Sequence, residues 1–270
     1  MAESQHDAAT VAWARYVRVL LTLTLPNLRM RCGSVTVYVL CAAATLTGAP
    51  ASAGPWARAQ GDLFLSFQIS AEEEPAHLVE GLWEPENYTS LYAEYGVGRS
   101  FTIGADLGGG ETSQMGIAFL RYTLTPPDAT WQWAVDAGLG ARRIGEGPVH
   151  GLVRFGASVG RGFGESDGGW PIPIRHEGGW VSLDTAVIYD VEIEDVIWQA
   201  EGTLGFSLSE RANAIVSLKA EEWPGSDMIV TVSPSFAFDI LPDTTIRLGA
   251  RGALEGSTNV GVFLSLWHTF

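Results

Sequence analysis

The stretch "LFLSFQIS", residues 63–70, sets Leu63, Leu65, Phe67 and Ile69 on one face of an extended chain and Phe64, Ser66, Gln68 and Ser70 on the other. Successive side chains of a strand point to opposite faces, so the segment has one apolar face and one mostly polar face. The pattern recurs. "WQWAVDAGLGARR" sets Trp131, Trp133, Val135, Ala137 and Leu139 against Gln132, Asp136 and Arg142. "DVIWQAEGTLGFSLS" sets Val196, Trp198, Ala200, Leu204, Phe206 and Leu208 against Gln199, Glu201, Thr203 and Ser207. Strands are predicted at 61–70, 88–97, 101–109, 114–124, 131–143, 149–162, 178–189, 195–208, 213–222, 228–240, 244–254 and 259–270. A tilted strand needs roughly 9 to 11 residues to cross a bilayer, and these segments are of that order. After Gly54 no run of about 18 apolar residues occurs, so no membrane helix is expected there.

The fold class expected is therefore all-β: an antiparallel up-and-down transmembrane β-barrel of about twelve strands, with eight or ten as alternatives. A soluble sandwich or lipocalin-like barrel also alternates. Its polar face is solvated and carries many lysines, whereas Lys219 is the only lysine of this chain. Tyr95, Phe101, Tyr122, Trp131, Trp180, Phe206, Phe238 and Phe270 are expected near one end of the strands, as an interfacial girdle. Connections at 98–100, 125–130, 209–212 and 241–243 read as short turns at that end. The opposite set, led by "AEEEPAHLVEGLWEPEN" at 71–87, reads as longer loops. The segment 163–177 is longer than its set predicts.

The last ten residues, "GVFLSLWHTF", resemble the C-terminal signature strand of Gram-negative outer-membrane β-barrel proteins. Phe270, Leu266, Leu264 and Val262 fit its alternation, and His268 departs from it. The resemblance implies an assembly signal read by the barrel assembly machinery and passage on periplasmic chaperones. It also implies an apolar face set in outer-membrane lipid and lipopolysaccharide. With an even number of strands, both mature termini are expected on the periplasmic side.

Residues 30–53, "MRCGSVTVYVLCAAATLTGAPASA", have the order of a secretory signal: Arg29 and Arg31, a short apolar core from Val35 to Leu46, then the small-residue site Ala51-Ser52-Ala53. Residues 1–53 are read as a signal peptide with a mis-assigned upstream start, the true start being Met30. Residues 54–270 are the barrel, with Gly54 as the new N-terminus. Both cysteines, Cys32 and Cys41, fall before the cleavage site, so no disulfide is expected in the mature chain. The residues ahead of Cys41 make a poor lipidation motif.

With the apolar face on lipid, the other face points inward. The lumen-lining residues expected are Glu94, Asp106, Arg121, Asp136, Arg154, Asp184, Glu201, Lys219, Arg247 and Arg251. Acids and bases mix around the wall, and the pairs Asp106–Arg121 and Asp136–Arg154 are expected across strands. Inward glycines, Gly96, Gly104, Gly138, Gly140, Gly156, Gly205 and Gly249, are read as giving the wall its curvature. The function these features imply is a narrow channel or transporter for small solutes with a mixed-charge lumen. A structural or surface-binding barrel closed by ion pairs is the alternative, and a lipid-modifying enzyme the second. No Ser–His pair is apparent, so no enzyme is expected; His150 is the one candidate base at the right height. The acidic loop carrying Glu72, Glu73, Glu74, Glu80, Glu84, Glu86 and His77 lacks any fixed ligand spacing, so no metal and no cofactor is expected. A net charge of −15 argues against a nucleic-acid partner.

Overall fold

The computed structural model describes residues 54–81, 84–164 and 176–270. These form β1 (Leu63–Glu73), β2 (Glu86–Gly96), β3 (Phe101–Gly110), β4 (Ser113–Thr123), β5 (Gln132–Ile144), β6 (Val149–Gly164), β7 (Gly178–Asp190), β8 (Asp195–Ser209), β9 (Ala212–Glu222), β10 (Ile229–Leu241), β11 (Thr244–Glu255) and β12 (Val260–Thr269). One short helix, α1 (Pro75–Glu80), lies between β1 and β2. Each strand pairs antiparallel with its neighbours in sequence, and β12 returns to pair with β1. The result is a closed, up-and-down, twelve-stranded barrel, as the alternation predicts.

The predicted strands are all found, with ends moved by a few residues. The largest change is in β1, which runs on to Glu73 and so takes Glu72 out of the loop and into the wall. The expected contrast between short turns and long loops is weaker. The termini-bearing end has both the tight β8–β9 turn at Glu210–Arg211 and the long stretch between Gly164 and Gly178. The opposite end has both the tight β3–β4 turn at Glu111–Thr112 and the loop that carries α1. The signal and start-site reading of residues 1–53, and most of the segment 163–177, lie outside the described residues.

Burial is inverted relative to a soluble protein. Phe67, Ile103, Leu120, Trp133, Leu139, Phe155, Leu183, Trp198, Leu218, Phe236, Leu248 and Val262 are exposed on the outside. Glu94, Arg121, Asp136, Arg142 and Asp190 are buried inside. The termini-end girdle keeps Tyr95, Phe101, Tyr122, Trp131, Phe238 and Phe270 exposed. Trp180 departs from it: it turns inward with Ile215 and Ala237, against Trp56 and Trp267. The parity of β7 requires this, because Trp180 is an even number of residues from the inward Asp184. Phe206 is also covered, by the rings of Phe163 and His176.

The inward glycines do more than curve the wall. A Cβ on Gly104 would sit 2.2 Å from the Phe119 ring, and one on Gly156 would sit 2.3 Å from the Asp136 carboxylate. Each is a seat for a large inward side chain of the adjacent strand.

The seam between β1 and β12 runs in register from Phe64–Thr269 to Glu73–Val260. Phe270 extends it: its N–H donates to the Leu63 carbonyl at 2.8 Å, and its ring packs edge-on against His268 with centroids 4.2 Å apart. His268, the residue that departs from the signature pattern, is thereby accounted for, and its Nδ1 also meets Thr244 Oγ1 at 2.8 Å. Deleting Phe270 is expected to lower the yield of folded barrel, read as the heat-modifiable band on a denaturing gel. A normal band at normal yield contradicts this.

Candidate functional site

Cross-strand register puts all ten predicted lumen residues on the inner face. They divide into a sealed group and an open one. The sealed group centres on Glu94 of β2, fully buried. Its carboxylate accepts from Arg58 Nε at 2.7 Å and from Tyr92 Oη at 2.5 Å, and it pairs with Arg121 Nη1. Arg121 and Arg154 both lie over the Phe119 ring. Arg154 Nε pairs with Asp136 Oδ1 at 2.9 Å, as expected.

The expected Asp106–Arg121 pair does not form. Register sets Arg121 opposite Thr102 and Asp106 opposite Ile117. The offset of four residues along the strand is about 13 Å at the usual rise. Arg121 turns to Glu94 instead, and Asp106 faces the charges of Arg154, Lys219 and Glu201 across the interior.

The sequence reading missed the segment ahead of β1. Residues 54–60 enter the barrel at the end that holds the termini. The Gly54 carbonyl accepts from Arg121 Nη1 at 2.9 Å, the Pro55 carbonyl from Thr123 Oγ1 at 3.0 Å, and the Arg58 N–H donates to Thr102 Oγ1 at 3.3 Å. Arg58 also lies 4.3 Å above the Phe64 ring. No periodicity marks this stretch. Its only signals were the basic Arg58 and the bulky Trp56 so close to a predicted cleavage site.

The opposite end carries a second network, on the side of β4 to β9. Ile117, Leu152, Ile188 and Ile197 form a buried cluster with Met115 and Trp223 against it. Beside them Asp190, fully buried, takes Arg142 Nε at 2.5 Å, His150 Nδ1 at 3.0 Å, and the N–H groups of Glu192 and Ile193. His150, Asp190 and Glu192 offer ligand atoms within 4.8 Å of one another. Arg142 already supplies the positive charge a cation would bring, and Glu192 accepts from the Gly151 N–H. His150 is thus hydrogen-bonded to Asp190, the acid of the Arg142–Asp190 ion pair.

The open group lines the remaining wall. Lys219 pairs with Glu221 at 2.7 Å and Arg251 with Glu72 at 2.7 Å. Arg247 donates to Ser235 Oγ at 2.9 Å and faces Glu201 and Arg251. Asp184 lies near Ser158, Ser182, Arg121 and Glu201. In the loop above, Glu73 binds three donors at once: its own neighbour's N–H at Glu74, the N–H of Glu84, and His77 Nδ1 at 2.8 Å. The acidic loop is therefore drawn together by one carboxylate and one imidazole.

An apolar exterior, charges sealed within and a hydrogen-bonded ladder without a free edge define a β-barrel built to stand in a lipid bilayer. Solved outer-membrane barrels share this fold. The KdgM porin matches with a TM-score of 0.51 at 7% identity, over 76% of this chain and 99% of that one. The NanC porin matches with a TM-score of 0.50 at 10% identity, over 76% of this chain and 98% of that one. At such identities the likeness is one of fold. No family model matches the chain, and no curated protein matches it in sequence.

Two outcomes follow from the geometry. Arg142→Ala leaves Asp190 buried with only His150 and two N–H groups; removing one partner of a buried pair costs about 3 to 5 kcal/mol. A urea-unfolding curve of the refolded barrel is expected to show a loss near the lower end of that range, and an unchanged midpoint contradicts the network. The Glu73 carboxylate, helped by the charges of Glu74 and Glu80, raises the pKa of His77 above its ordinary 6.5. A raised histidine contributes its pairing fully below the unfolded value and loses it as pH climbs through the folded one. The loop is therefore expected to be tied at pH 6 or so and to loosen above the His77 midpoint. An NMR titration of His77 that gives the same midpoint in wild type and in Glu73→Gln contradicts this.

Proposed function

We propose that the protein is a narrow outer-membrane channel for small polar or charged solutes. The carrying observation is the two-sidedness of the lumen. The charged side chains of Glu94, Arg121, Asp190 and Arg142 are shut away from water, whereas those of Lys219, Glu221, Arg251 and Glu72 keep 39%, 21%, 30% and 25% exposure inside the wall. Charges that remain wet in a barrel interior are the part of the wall a solute meets. In this reading Asp106, Asp184, Glu201 and Arg247 complete the same lining, and the sealed pairs hold the bore narrow. The described fold is shared with structures called porins, which supports the reading.

Within that proposal the barrel sits in the outer membrane with both termini periplasmic. Lipid and lipopolysaccharide surround the apolar face, and Val262, Leu264, Leu266 and Phe270 serve as the strand read by the assembly machinery after escort by periplasmic chaperones. No catalytic role is assigned to His150. The second reading, a structural barrel closed by ion pairs, draws on the buried Arg58–Glu94–Arg121 and Arg142–Asp190 networks.

Planar-bilayer recording of the refolded chain separates the two. Discrete current steps are expected, and Lys219→Gln with Arg251→Gln is expected to shift the reversal potential toward cations, because Glu72, Glu201 and Glu221 are left in excess. A reversal potential unmoved by the double change counts against the lining. A folded chain that stays silent even with its terminal mouth cleared sinks the channel.

A further inference from the structure

We propose that residues 54–60 are a displaceable plug that closes the termini-bearing mouth of the lumen; as a gate, the plug rests on the channel reading above. Five observations converge on it. The segment crosses the bore. It leaves β1, contacts Thr102 on β3 and both Arg121 and Thr123 on β4, and reaches β7, the strand diametrically opposite β1 in a ring of twelve. There Trp56 packs against the cluster of Trp180, Ile215 and Ala237.

The wall is cut to receive it. A Cβ on Gly160 would stand 2.5 Å from the Trp56 ring, and one on Gly96 would stand 2.0 Å from the Ala59 carbonyl oxygen. Neither contact serves the β-ladder itself; each makes room for the segment.

Several of its backbone groups are met by the wall. The Gly54 and Pro55 carbonyls and the Arg58 N–H each have a wall side chain as partner. Buried backbone needs such partners, since a polar group left unmet away from water is costly.

One wall residue clamps it electrostatically. Glu94 lies between Arg58 of the segment and Arg121 of the wall and is fully buried. Without that carboxylate the two guanidinium groups are left facing each other.

Finally, the segment is separable from the barrel. The β1–β12 ladder starts at Phe64–Thr269 and the β1–β2 ladder at Leu63–Tyr95. The turn that joins segment to strand, with Gly61 at φ +96° and the Asp62 N–H bonded to the Ala59 carbonyl, lies between the two. The segment swings out without unpairing a strand.

The predicted mature chain has no cysteine, so Ser182→Cys supplies a single thiol. Ser182 is 4% exposed, and its Cβ is 3.8 Å from where a Cβ of Gly54 would be. The processed chain carrying this thiol is compared with the same chain carrying Trp56→Ala and Arg58→Ala, and with the same chain carrying Glu94→Gln, each checked for folding by heat-modifiability. The first of these variants lies outside every ladder, so it keeps the test alive if Glu94→Gln fails to fold. Labelling by a small charged methanethiosulfonate is expected to be at least tenfold faster in the variants, with larger current steps in planar bilayers. Equal labelling rates in all folded chains overturn the plug, whatever current the wild type passes. Faster labelling with no current in any chain upholds the closure and overturns the channel reading.

Discussion

Hydrocarbon offers no hydrogen bonds, and each backbone group left unpaired in it costs several kcal/mol. That constraint governs this chain. The ladder has to close on itself, which makes the β1–β12 seam, formed by the two ends of the described barrel, as necessary as any pairing between consecutive strands. Once the ladder is closed, every strand residue faces either lipid or lumen. The period-two pattern then divides the chain into an apolar exterior and an interior that has to accommodate all remaining polarity.

The interior meets that demand in two ways. The two fully sealed acids are each given several partners: Glu94 has Arg58, Arg121 and Tyr92, and Asp190 has Arg142, His150 and two backbone N–H groups. Two charges withdrawn from water repay their desolvation only with such saturation. The Lys219–Glu221 and Arg251–Glu72 pairs, each with a single partner, remain in contact with water. Packing density and wetness are thus complementary around one wall, and small residues decide which applies. Gly104, Gly156 and Gly160 give up their side-chain space to Phe119, Asp136 and Trp56.

Much of this was legible in the sequence because strand alternation is a local property. The number of strands, the face each residue takes, the inward direction of the ten charged positions and the Asp136–Arg154 pair all follow from parity and adjacency. Trp180 shows the same rule at work against an impression drawn from aromatic clustering: its parity with Asp184 already placed it inside. The Asp106–Arg121 pairing failed for a different reason. Parity gives the face but not the height, and height depends on register, which the two-residue turn at Glu111–Thr112 sets.

What the sequence alone determined is the class of object: a closed antiparallel barrel with its apolar side outward, because a period of two with one apolar face admits few other burials. What only the tertiary structure decided is the content of the lumen. Residues 54–60 carry no periodicity, so no local rule sends them inward; they are held there by Glu94, Arg121 and Thr123, which lie tens of residues away in sequence and converge only when the ring is closed. The same holds for the Arg142–Asp190 network, whose partners lie on β5 and β7, strands separated by β6. Contacts across a bore are set by curvature and register together, and neither is written in any short stretch of chain.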